Sequence, residues 1–220
     1  MRHPFRAVAV LAAAAMLITG CGSGDDWSEP HAAPTPIGSL APGFLAPSAS
    51  PAPESTITPA PGSWSGVHPP AGYRVVLLTV GDDAPTKALV TAVKSWAEAE
   101  KADLRTINAS AHDPVPGISA AVGLNPDLIV SAGDSLVDPL ALVTASHLDQ
   151  QFLVVGAELA EPTANVTATD WAGASFRGEG LGSATSYDPA SFTAERCDNA
   201  IRAGVAAVLH NVTGVIVWLS

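Results

Sequence analysis

The chain has 220 residues, 10 basic and 21 acidic, for a formal net charge of −11; hydrophobic residues make up 47% and charged residues 14%. That balance excludes the Lys/Arg surface needed to neutralise nucleic-acid phosphates or to grip anionic lipid, and the low charge content suits a well-buried core. The two cysteines form no CxxC and no Cys/His spacing fit for zinc, so core packing must stabilise the fold.

Arg2 and Arg6 lead an uninterrupted apolar run, residues 7–19, that passes through small residues to Cys21. The run falls short of the roughly 20 residues that cross a bilayer, so residues 1–20 read as a secretory signal peptide. Ile18-Thr19-Gly20-Cys21 resembles the lipobox of bacterial lipoproteins. The resemblance implies that the Cys21 thiol is acylated and becomes the mature N-terminus, so that the chain is lipid-anchored on the extracytoplasmic face of the cell membrane. A lipid supplies attachment without help from protein charge. Processing would leave eight basic residues against 21 acidic ones, a charge near −13, with Cys197 as the only free thiol.

Residues 21–72 are low in complexity: 11 of the 19 prolines fall between Pro30 and Pro70, among Ala, Ser, Thr and Gly. Such a stretch lacks apolar periodicity and is expected to be a disordered, partly polyproline-II linker. Trp27 and Trp64 stand isolated in it and are expected to make only incidental or interfacial contacts.

From Tyr73 the texture changes. Residues 73–80 (YRVVLLTV) form a continuous apolar run that ends at Gly81-Asp82-Asp83. Residues 85–101 carry Leu89, Val93 and Trp96 at helical spacing, with Pro85 in the first turn and Asp83 or Asp82 as cap. Strands are then expected at 104–108, 127–131 (DLIVS), 151–156 (QFLVVG), 165–168 and 214–219 (GVIVWL), and helices at 118–124, 136–147 and 192–210. Strands and helices alternate, and the strands are near-continuous apolar runs. This pattern predicts an α/β, doubly wound, mostly parallel sheet covered on both faces, with residues 73–220 as one domain.

In such sheets ligands bind beyond the carboxyl ends of the strands, where the strand order reverses. With the order 2-1-3-4-5, the strand ending at Gly81 lies beside the strand followed by Gly133-Asp134-Ser135. Asp82, Asp83, Gly133 and Asp134 would then share one edge, with Asp138 a turn further on. Carboxylates there can accept hydrogen bonds from hydroxyl or amino groups or ligate a hard cation; equally, each can simply cap its helix.

Residues 73–220 resemble the first lobe of the basic membrane protein family, substrate-binding lipoproteins of ABC transporters with a periplasmic-binding-protein type I fold. The resemblance rests on Gly81-Asp82-Asp83, Asp127-Leu128-Ile129, Gly133 with Asp138, Gln151-Phe152-Leu153-Val154-Val155, Asn165-Val166-Thr167, Phe176-Arg177 and Glu179-Gly180. It implies a small polar, nucleoside-like ligand, with an ABC permease or a second lobe-like protein as partner. The aromatic on which family members stack a purine after the first strand is missing between Gly81 and Lys94. Residues 73–220 correspond to one lobe of the family's two, and one lobe offers half a cleft.

Gly133-Asp134-Ser135-Leu136 spells the signature of GDSL-type esterases after a strand, and Ser135 is the strongest candidate nucleophile. No Asp-x-x-His follows it; the downstream histidines are His147 and His210, and a serine without a base is a poor nucleophile. A non-enzymatic chain is expected, with no cofactor. Gly178-x-Gly180-x-Gly182 has the wrong spacing for a dinucleotide, and the six histidines show no metal-binding spacing. Cys197 reads as a small core residue, since nothing basic beside it favours the thiolate.

Overall fold

The computed structural model describes Trp27 and residues 31–48, 50–174 and 186–220. The signal peptide, Cys21, the Phe176-Arg177 and Glu179-Gly180 motifs and the glycines 178, 180 and 182 lie outside the described residues.

Seven strands form one parallel sheet: β1 (Thr56–Ile57), β2 (Arg74–Thr79), β3 (Asp103–Asn108), β4 (Leu128–Ala132), β5 (Phe152–Val155), β6 (Val166–Trp171) and β7 (Ile216–Leu219), in the order β1-β7-β6-β5-β4-β2-β3. Every adjacent pair is parallel, including β1 with β7. The helices are α1 (Ala84–Glu100), α2 (Val115–Gly123), α3 (Val137–Val143), which a 3-10 turn extends, and α4 (Ala194–Leu209). The sheet is therefore α/β and doubly wound, with the expected order of the first five strands and two further strands at the far edge.

Alternation along the strands sorts the core into two layers. Val75, Leu77, Leu128, Val130, Leu153, Val155 and Val217 meet α1 and α4 on one face. Val76, Leu78, Ile129, Val154, Ala168 and Ile216 meet α2 and α3 on the other. Asp83 starts α1 as predicted, and Thr193 caps α4 by accepting from the Arg196 N–H at 3.3 Å. Gly204 lets α4 lie directly on the sheet: a Cβ there would meet Leu153 Cδ1 at 2.5 Å and Thr169 Cγ2 at 2.8 Å. Cys197 is fully buried in this layer, and burial pushes its thiol up to about 11, so it stays protonated and inert at neutral pH.

The crossovers differ in hand. α1 carries the chain from β2 to β3 and α4 carries it from β6 to β7, in opposite directions along the sheet, yet both lie on one face. The units built on α2 and α3 agree in hand with that of α1. Parallel crossovers are right-handed in about 98% of cases, so the β6–α4–β7 unit is the odd one.

The expected tether does not describe residues 31–48 and 50–72. Phe44 and Trp64 are buried in the α1/α4 layer, with Leu40, Leu45, Ile57 and Val67 packed against it. Ile37 pairs with His68 across an antiparallel bridge, and β1 adds a strand to the edge of β7. Trp27 is 4% exposed and belongs to the α2/α3 layer. Both tryptophans are therefore buried contacts, not incidental ones. Composition misleads here because prolines lower the entropy that ordering must overcome, and a few aromatic and aliphatic side chains then suffice to dock the segment. Among the described residues no helix is long and apolar enough to cross a membrane.

Candidate functional site

The strand order reverses between β2 and β4: β2 leads outward to β3 on one side, and the chain proceeds from β4 through β5, β6 and β7 on the other. All strands point the same way, so the loops after β2, β3, β4 and β6 open on one edge.

Asp83 is held firmly there. Its Oδ1 accepts from the Thr86 N–H at 2.9 Å and its Oδ2 from the Thr86 hydroxyl at 2.8 Å. Burial pushes its carboxyl up, but the two Thr86 bonds, its own backbone N–H and the Lys87 charge outweigh this and hold it below the usual carboxylate range. Asp82 points to solvent and pairs with Lys87 Nζ at 3.2 Å. Gly133 ends β4 with φ +83°, and a Cβ there would lie 3.6 Å from Thr86 Oγ1. The β4 loop thus closes on the same threonine that Asp83 binds. Asp134 and Ser135 follow in the open, and Asp138 is half-buried in the first turn of α3.

One residue that the sequence reading passed over joins this edge. Tyr187, half-exposed in the loop before α4, rests edge-to-face on Phe192 with ring centroids 6.1 Å apart, and Phe192 rests on Trp171 at 5.0 Å. Partial burial raises the Tyr187 phenol pKa, and the Asp134 and Asp83 carboxylates raise it further. Only a sequence signal of an aromatic directly before a capped helix start (Tyr187-Asp188) could have hinted at it.

Ser135 Oγ donates to Asp134 Oδ1 at a long 3.5 Å. His147 and His210 follow α3 and α4 at the opposite edge of the sheet, where the strands begin: the His147 carbonyl accepts from Asn165 just before β6. Neither can serve Ser135 as a base. His112 shares the edge of Ser135 but stands in the loop after β3, and β2 lies between β3 and β4. Among the described residues no three His, Cys, Asp or Glu side chains gather to hold a metal ion.

A buried acid lies near the end of β6. Asp170 is fully buried, its Oδ1 accepts from the Trp171 N–H at 2.8 Å, and its Oδ2 has no partner. Burial first, with the nearby Glu158 adding, pushes its carboxyl up to about 8 against the pull of the Trp171 bond.

No family model matches the chain, and no curated protein matches it. Among solved structures, it is similar to an ABC transporter solute-binding protein from Aeropyrum pernix K1, at 20% identity and TM-score 0.41 over 46% of this chain and 29% of that one. A candidate lipoprotein fragment from Peptoclostridium difficile 630 matches at 17% identity and TM-score 0.45, over 62% of this chain and 98% of the fragment. A periplasmic ribose ABC transporter protein from Conexibacter woesei DSM 14684 matches at 15% identity and TM-score 0.36, over 68% of this chain and 54% of that one. The chain thus spans under a third of the Aeropyrum protein and about half of the Conexibacter protein.

Proposed function

We propose that this chain is a lipoprotein acylated at Cys21 and held on the extracytoplasmic face of the membrane. Its domain acts as a single lobe like those of substrate-binding proteins, of the kind seen in the basic membrane protein family. Its ligand is small and polar, nucleoside-like in having a flat ring and hydroxyl groups. Asp82, Asp83, Asp134 and Asp138 accept its hydrogen bonds, Gly133 gives backbone access, and Tyr187 offers the ring a flat apolar contact. The partner is an ABC permease or a second lobe-like protein that closes the half-cleft. The observation that carries this reading is that Tyr187, packed on Phe192, stands near enough to Asp83 and Asp134 for their charges to raise its pKa, and those two aspartates lie where the strand order reverses.

The reading is non-enzymatic, because among the described residues Ser135 makes no hydrogen bond to a histidine and its hydroxyl donates to Asp134 instead. A thermal-shift screen of nucleosides and sugars should give at least one stabilising compound whose effect is lost in Tyr187→Leu and in Asp134→Asn. A flat screen on a correctly folded protein refutes ligand binding. Hydrolysis of p-nitrophenyl esters that disappears in Ser135→Ala would replace it with the esterase reading. Mass spectrometry of the native protein should find a diacylglyceryl-type adduct on Cys21.

A further inference from the structure

We infer that Trp27 and His31 clasp the starts of the strands, so that a lipid on Cys21 sets that edge of the sheet against the membrane and turns the acidic edge outward. The inference rests on the reading that Cys21 is acylated.

Trp27 lies over the first residues of β2 and β3. Arg105 Cζ stands 4.3 Å and Arg74 Cζ 5.9 Å from its ring centroid, and its indole N–H donates to Asp103 Oδ2 at 2.6 Å. Two guanidinium groups on one indole, with the indole donor satisfied by a carboxylate, make a specific seat. Four residues on, His31 Nε2 lies 2.8 Å from Asp127 Oδ1, and the other Asp127 oxygen accepts the Arg74 N–H at 2.9 Å. Asp127 immediately precedes β4. The chain is therefore pinned across the starts of β3, β2 and β4, and the far ends of β2 and β4 carry Asp82, Asp83 and Asp134.

Reach turns this seat into an orientation. Cys21 precedes Trp27 by six residues, which span at most about 20 Å when fully extended. The six residues of β2 also cover about 20 Å. A lipid at Cys21 consequently reaches the far edge only if every intervening residue is fully extended, and any less extended path keeps the bilayer on the side of the clasp. A free tether running from Cys21 to Tyr73 would reach roughly 170 Å and impose no orientation at all.

The test places a donor fluorophore on full-length lipidated protein at Ala71→Cys, exposed beside the start of β2, or at Ala111→Cys, exposed in the loop after β3. Cys197 is buried and remains unlabelled. The protein is reconstituted in phosphatidylcholine vesicles that carry an acceptor dye in the headgroup layer. Energy transfer from position 71 should exceed that from position 111 by about twofold, given a strand-length difference of about 20 Å. Trp27→Ala, and Arg105→Gln as a milder variant that keeps the tryptophan, should bring the ratio towards one while leaving the vesicle-bound fraction unchanged. Equal or reversed transfer in the unaltered protein, or a ratio that both variants leave intact, overturns the inference. An unmodified Cys21 in the mass spectrum overturns the lipoprotein reading and the inference with it, whereas an acylated Cys21 with equal transfer overturns the inference alone.

Discussion

Asp170→Asn should remove a pH dependence that the fold carries in its core. The Asp170 carboxyl is fully buried on β6, with one oxygen unpartnered, and its pKa is pushed up to about 8. In the unfolded chain the same group titrates near 3.9. Between about pH 4 and pH 8 the native state therefore holds a proton that the unfolded state has released, and stability falls as pH rises. The contribution is complete below about pH 4 and lost as pH passes through 8. Its slope is about 1.4 kcal/mol per pH unit, and across the window it amounts to on the order of 5 kcal/mol. Asparagine keeps an acceptor for the Trp171 N–H and cannot ionise. Urea unfolding followed by tryptophan fluorescence at pH 5.5, 6.5, 7.5 and 8.5 measures both profiles, with a constant m-value confirming that the denatured state is unchanged. The variant should gain on the unaltered protein at each step upward and be clearly the more stable at pH 8.5. Parallel profiles for the two proteins would refute the assignment of the shift to Asp170.

Gly204→Ala should lose about 1–3 kcal/mol, because the added methyl collides with Leu153 at 2.5 Å. Gly123→Ala, where a Cβ meets nothing within 4 Å, should instead gain up to about 1 kcal/mol, and chemical denaturation of the pair reads the opposite signs. Trp64→Ala should cost about 3–5 kcal/mol although it lies in the proline-rich stretch, and limited proteolysis should then cut within residues 50–72 of the variant first. Asp83→Ala should cost about 1 kcal/mol at pH 7 through loss of the α1 cap, a difference that begins to shrink once pH falls below about 3.9, where the unfolded chain protonates, and is lost as pH falls through the lower native pKa.

The sheet was legible because strands buried on both faces read as unbroken apolar runs, and β2, β4 and β5 are such runs. Asp83 was legible because a cap followed by proline has a local signature. The docked segment was not, since its grip comes from single side chains, Phe44 and Trp64, whose partners are remote in sequence. Tyr187 was hidden for the same reason: it sits in a loop, and only the fold stacks it on Phe192 and Trp171 and brings it within range of the Asp83 and Asp134 charges. Asn165 stood out in the sequence only as part of a short motif, yet its side-chain amide donates to the carbonyls of His147 and Gln150 and fastens the turn before β5. Periodicity reports what repeats along the chain, and these residues act once.

The N-terminal segment also solves a problem that an open parallel sheet creates for itself. Both outer strands of such a sheet present unpaired backbone groups that invite another chain. On one side β1 pairs with β7, with Thr56 opposite Ile216 and Ile57 opposite Val217, and the Glu54 N–H donates to the Gly214 carbonyl at 2.7 Å. On the other side β3 carries Asp103 and Arg105 under the Trp27 ring. The same segment, by way of Trp64 and Phe44, also completes the layer over α1 and α4. It leaves open the edge where Asp82, Asp83 and Asp134 end their strands. Short pairing at β7 and one indole over the side chains of β3 blunt the two flanks of the sheet, while the ends of β2 and β4, with Asp82, Asp83 and Asp134, carry no such cover from the described part of this segment.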